Sequence, residues 1–198
     1  GRAIIDTVGI AIAAVREEAS EIALRFAREE GGCGRASTWA CPDAVPLYGA
    51  AFYNGVAAHV LDFDDVNSPL RGHPTIAMLP ALLALAETRG INGRRLASAY
   101  TVGLEVMVKI ARAIVSDHYA KGWHATTTIG LMGATAACAQ LLGLSEQQTM
   151  HALGLALAQC SGSRASFGFM AKSFQTGHCN TSALRAVPTC PRPTASNA

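Results

Sequence analysis

From Ala125 to Ser145 the chain carries no Asp, Glu, Lys or Arg, and this stretch constrains the fold more than any other. A run of that length could cross a bilayer. Thr126, Thr127, Thr128, Thr135 and Gln140 dilute it, however, and no basic cluster flanks it. The reading that fits is a helix enclosed on all sides by other helices, with no membrane involved. Composition points the same way: half of the 198 residues are hydrophobic, while 6% are aromatic and 15% charged. The apolar mass is largely Ala, Leu, Val and Ile, and alanine has the highest helix propensity. This excludes a disordered chain, a collagen-like repeat and a disulfide-dense mini-protein. Sixteen basic residues against fourteen acidic ones leave a net charge of +2, which is no electrostatic footprint for nucleic acid.

The six cysteines form no C-x-x-C pair and no His/Cys run with zinc-ligand spacing. They predict a reducing, cytoplasmic compartment. The N-terminal residues do not read as a secretory signal, because Asp6 interrupts the apolar run.

The helical pattern is nearly continuous. Residues 3–29 predict two helices, ended by the glycines at 31–34, and a small-residue helix follows over about 47–60. A helix over about 75–88 stops at Gly90. Asn92 then caps a longer one, from 93 to about 117, whose stripe is Leu96, Tyr100, Leu104, Met107, Ile110 and Ile114. The uncharged helix ends at Gly143, and Ser145 with Gln148 forms a capping-box pattern for a last helix reaching about 160. No alternating run demands a strand. The expected fold is all-α. Residues 179–198, with three prolines and no apolar periodicity, are expected to be a divergent, loose tail.

Three polar clusters interrupt the apolar background. Asp62-Phe63-Asp64-Asp65 precedes Arg71-Gly72-His73-Pro74. Three carboxylates in four residues repel one another unless solvent, cations or a substrate offset the repulsion. A solvated turn at Asp65 or Asn67 satisfies that requirement. A magnesium site would need a second ligand cluster, which the sequence lacks. The run also fits the DxDx[T/V] signature of aspartyl-phosphate phosphatases, but that chemistry needs a preceding buried strand. The second cluster is Gly122-Trp123-His124 with Thr126, Thr127 and Thr128 at a helix start, where the dipole disfavours imidazolium and predicts a neutral His124. The third is Lys172, reached from Lys121 past only two charged residues, Glu146 and Arg164. His59 stands before the acidic loop and is placed to orient it; His151 is expected at the surface. Asp62, His73, His124 and Lys172 include no evident nucleophile or phosphate loop. They suit proton transfer beside a carboxylate, with cations holding anionic oxygens.

The segments Asn54–Asp65, His73-Pro74, Leu82–Glu87, Gly122–Thr126, Leu142–Leu144 and Met170–Lys172 resemble the MmgE/PrpD family. The resemblance covers roughly residues 1–178. It implies the helical domain of a homodimeric enzyme whose smaller lid domain is absent here, the chain being truncated at both ends. It also implies catalysis on a small di- or tricarboxylate with no metal or organic cofactor. Asp62, His73, His124 and Lys172 become the expected catalytic set, with Arg71 and Thr126 expected to bind substrate. Dehydration of the 2-methylcitrate type, in propionate catabolism, is the expected reaction; decarboxylation or epimerisation has the same needs. The alternative is an inactive helical remnant that only folds or dimerises. Family members often carry a histidine where this chain has Gln175.

Overall fold

The computed structural model describes residues 1–30, 35–42 and 44–188. Its helices are α1 (Arg2–Ala13), α2 (Glu18–Glu29), α3 (Leu47–Ala57), α4 (Pro74–Arg89), α5 (Gly93–Ala120), α6 (Ala125–Leu142), α7 (Glu146–Gln159) and α8 (Ala171–Arg185). The all-α expectation holds. Its one exception among the described residues is a pair of two-residue antiparallel strands, β1 (Ala36–Ser37) and β2 (Ala44–Val45), paired Ala36 to Val45 and Ser37 to Ala44. They are too short to show alternation in sequence. The glycine stop at 31–34 lies outside the described residues.

The uncharged helix α6 has the length and apolarity to cross a membrane, yet 83% of it is buried. It lies among α4, α5, α7 and α8, while α3 packs against α2, α4 and α8. Both predicted caps form: Asn92 Oδ1 accepts from Arg95 N–H, and Ser145 and Gln148 complete a reciprocal capping box. His151 is exposed.

The expected α5 stripe packs against the core at Leu96, Tyr100, Leu104, Met107 and Ile110, with the fully buried line running one position beside it. That line is Ala99, Gly103, Met107, Ala111 and Val115, and Ile114 is exposed. The reason is the close approach of α5 to α6. A Cβ at Gly103 would lie 2.8 Å from Gly133 O, and one at Gly133 would lie 2.2 Å from Met107 Cγ. Small residues let the backbones meet, and the larger side chains flank the contact.

The expectation of loose chain from Cys179 is corrected over the described part. Helix α8 runs to Arg185, and Cys179, Asn180, Thr181, Ala183 and Leu184 are buried in it; residues 189–198 lie outside the described residues. The cause is a polar contact that hydrophobic periodicity does not register. Pro80 sits inside α4 and has no N–H to offer the carbonyl of Ile76. Asn180 fills the gap: its Nδ2 donates to Ile76 O at 2.9 Å, and its Oδ1 accepts from Ala81 N–H at 2.9 Å. Asn180 thus satisfies α4 where the proline breaks it.

Candidate active site

The acidic loop leaves α3 and returns to α4, and each of its carboxylates has its own partner. Asp65 accepts from the hydroxyl of Thr75 at 2.7 Å and from its N–H at 3.3 Å, tying the loop to the start of α4. Asn67 makes the expected turn, accepting from Leu70 N–H at 3.0 Å. Asp64 is buried between two histidines. His59 Nδ1–H is shared by both carboxylate oxygens at 2.9 and 3.0 Å. His73 Nδ1 lies 3.2 Å from the Asp64 carbonyl and 3.3 Å from its Oδ2. Asp62 has φ +57°, in the left-handed region, where Asp is tolerated better than most residues. Its carboxylate pairs with Lys172 Nζ and lies 3.4 Å from His73 Nε2.

These partners set the charges. Burial alone would push the Asp64 carboxyl up, but the hydrogen bonds from His59 and His73 outweigh it and hold the group well below the carboxylate range. Burial would lower His73, yet its bonds to Asp64 and the charge there raise it above the ordinary histidine value, against Lys172. His124 goes the other way, to about 4, chiefly through burial, against the raising hydrogen bond to Gln175 and with His59, Lys172 and His73 adding repulsion. The expected neutrality of His124 therefore holds, with burial rather than the helix dipole as the main cause.

His124 caps the start of α6, and its N–H donates to Gly162 O at 3.1 Å. The His59 ring lies between the other two histidines, 4.8 Å from His73 and 6.3 Å from His124 by centroid. Phe167 stands 5.0 Å from His124, with Lys172 Nζ 5.1 Å from its centroid. Beside this cluster opens a cavity of about 360 Å³, lined in part by Glu17, Glu18, His59, Asp62, Phe169 and Lys172. A larger groove of about 520 Å³ along the end of α5 contains none of the four expected catalytic residues.

Asp62, His73 and Lys172 thus meet, and His124 joins them through His59 and Phe167. The two expected substrate ligands are placed differently. Thr126 is fully buried, and its hydroxyl accepts from His73 N–H at 3.2 Å; it anchors the loop. Arg71 is exposed, with its guanidinium 5.9 Å from the Tyr119 ring. What the sequence left undefined is Asp64 as the bridge between histidines. The five-residue spacing from His59 to Asp64 was its only local signal.

One donor atom from each of His59, Asp62, Asp64 and His73 lies within 4.8 Å of the others, a spacing a divalent cation could use. The Lys172 ammonium already pairs with Asp62, and both Asp64 oxygens already accept from histidine. A metal ion would have to displace this built-in cation. The aspartyl-phosphate reading is overturned, because Asp62 follows helix α3 rather than a strand.

The model of the MmgE/PrpD N-terminal domain matches residues 1–190 of this chain. The chain belongs to the MmgE/PrpD family. It is similar to human cis-aconitate decarboxylase, 31% identical over 192 residues, and to the mouse protein of that name, 29% identical over 192 residues. Each alignment covers 94% of this chain but only 40% and 39% of the respective relative. A cis-aconitate decarboxylase of Aspergillus terreus is 32% identical over 135 residues, 65% of this chain and 28% of that protein. The chain therefore spans about two fifths of the length of its mammalian relatives. Within the MmgE/PrpD family, the helical architecture described above is that of the N-terminal domain.

Proposed function

We propose that this chain carries the acid–base half of an MmgE/PrpD lyase site for a small di- or tricarboxylate. The observation that carries the reading is the opposed tuning of two histidines around an Asp–Lys pair. His73 is raised and favours its protonated form, while His124 is lowered and stays neutral near pH 7. Titratable groups pushed apart in this way divide into acid and base. His73 is then the proton donor, and His124 is the base, with Asp62 next to the donor. Lys172 holds a substrate carboxylate and stabilises enolate charge as it develops.

Among reactions with these needs, decarboxylation of cis-aconitate is the first to test, because the similar human, mouse and Aspergillus proteins bear that name. Dehydration of 2-methylcitrate draws no support from those names. In decarboxylation the bond to the departing carboxyl breaks and its electron pair moves into the conjugated alkene. The alkene's own pair shifts to its far carbon, beside a remaining carboxylate, and takes a proton there from the acid as CO₂ leaves; the base acts only where a proton is taken from carbon, as in dehydration. The same reading makes the protein a cytoplasmic homodimer.

The test is proton NMR of the folded chain in D₂O with cis-aconitate, then with 2-methylcitrate. Loss of CO₂ that disappears in His73→Ala, or alkene formation from 2-methylcitrate that disappears in His124→Ala, supports the reading. No reaction from a folded chain favours the alternative of a folding or dimerising module.

A further inference from the structure

We infer that Gln175 is a positioning residue that fixes the tautomer of His124, so that Nε2 is the ring atom able to take a proton. Gln175 Nε2 donates to the carbonyl of Ser163 at 3.2 Å and to the hydroxyl oxygen of Ser166. The Ser163 carbonyl can only accept. The Ser166 hydroxyl spends its own proton on that same carbonyl at 2.7 Å, so toward Gln175 it accepts as well. Both amide hydrogens are therefore committed, and the orientation of the amide is set by its neighbours rather than by His124.

What remains facing His124 is Gln175 Oε1, 2.9 Å from Nδ1. An amide oxygen can only accept, so Nδ1 must carry the hydrogen. In a neutral ring the lone pair then lies on Nε2, which makes no hydrogen bond among the described residues. The turn around Ser163 is held in its own right. Ser163 Oγ accepts from Ala165 N–H at 3.1 Å, and Arg164 donates to Tyr119 O at 2.9 Å while stacking on the Tyr119 ring. Gly162 is built tightly against Thr127 and Gln175: a Cβ there would lie 3.0 Å from Gln175 Oε1.

An amide suits this task better than a carboxylate would. It orients the ring and brings no charge of its own, so that burial outweighs the pull of its hydrogen bond toward protonation, whereas a glutamate at the same place would draw a proton onto the ring. The other ionisable groups bearing on the ring are His59, His73 and Lys172, and all three oppose its protonation. Arg164 lies across Phe167, 5.8 Å from that ring's centroid. This inference rests on the proposed role of His124 as base, but its test does not use turnover.

The experiment is a two-bond ¹H–¹⁵N correlation spectrum of the ¹⁵N-histidine-labelled chain between pH 4 and 8, without substrate, with His124 assigned by its loss in His124→Ala. The neutral ring is expected to show a protonated Nδ1 and a bare Nε2. In Gln175→Leu the preference should be lost, with Nε2–H gaining. In Gln175→Glu the Nδ1–H should persist while the titration midpoint rises by about 1–3 pH units, as for an adjacent opposite charge. A neutral wild-type ring protonated at Nε2 overturns the inference. So does a tautomer unchanged in Gln175→Leu; if that variant does not fold, an unmoved midpoint in Gln175→Glu overturns it instead. A correct tautomer in a chain that turns nothing over would sink the proposed reaction and leave the role of Gln175 standing.

Discussion

Replacing Asn180 by leucine keeps the side chain's approximate volume and removes its hydrogen bonds to α4. The carbonyl of Ile76 and the N–H of Ala81, both in buried residues, lose the partners that lie 2.9 Å away. A buried polar group left unsatisfied costs about 1–3 kcal/mol, so the pair is worth about 2–6 kcal/mol. At roughly 2–4 °C per kcal/mol for a chain of this size, a central loss of about 4 kcal/mol lowers Tm by about 8–16 °C. The substitution Pro80→Ala supplies an N–H that the Ile76 carbonyl can take in the ordinary helical way. In the double variant that carbonyl is satisfied again, and about 1–3 kcal/mol should return. Urea titrations of wild type, both single variants and the double variant measure this coupling. Losses that simply add, or an Asn180→Leu loss below about 1 kcal/mol, would refute the account of how α8 satisfies α4.

Gly162 has φ +138°, and a Cβ there would lie 2.0 Å from Thr127 Oγ1; Gly162→Ala should cost about 2–4 kcal/mol through strain and overpacking, and an unchanged urea midpoint would refute this. His124 lies below its ordinary 6.5, at about 4, so its contribution, about 3 kcal/mol, is present above pH 6.5 and lost as the pH falls toward 4. Asp64, also depressed, extends the loss below its ordinary 3.8, while the raised Asp65 offsets part of it. The raised His73 acts at the other end, contributing below 6.5 and losing that stability as the pH climbs through its raised value. Urea midpoints at pH 7, 5 and 3.5 should therefore fall toward acid; a midpoint higher at pH 3.5 than at 7 refutes the assignments. Lys172→Met leaves an Asp62 side chain that is 55% exposed, so stability should change by less than about 1 kcal/mol. Any cis-aconitate turnover should drop by about 10²–10³, and undiminished turnover removes Lys172 from the proposed mechanism.

The helices and their ends were legible because they depend on local rules. Asn92 and the Ser145–Gln148 box cap by short-range geometry, and Gly90 and Gly143 close α4 and α6 in the left-handed region. The expected α5 stripe does face the core, but the fully buried line beside it follows the approach of two backbones at Gly103 and Gly133, which a stripe of large residues cannot report. Helix α8 has no counterpart in the sequence reading, which ends its last helix near 160 and expects loose chain from Cys179, for a related reason. Asn180 looks unsuited to a core until Pro80, a hundred residues earlier, is seen to leave the Ile76 carbonyl without a donor. At the site, Asp62, His73, His124 and Lys172 stood out as polar residues in apolar surroundings. Their electrostatics did not, because Asp64 acts on His73 only once the loop has folded back, and Thr126 shows its anchoring role only against His73 N–H.

Helix α8 carries Lys172 and Gln175 near its start and Asn180 further along, so three tasks share one rigid rod. Lys172 and Asn180 are separated by about 12 Å along the axis at 1.5 Å per residue. The depth to which the rod seats in the groove of α4 therefore also fixes how far its ammonium reaches toward Asp62 and where its amide meets the imidazole. A repacking near Pro80 that slid the rod by a fraction of a turn would shift the Asp62–Lys172 and His124–Gln175 contacts, up to two helical turns away, with none of those residues altered.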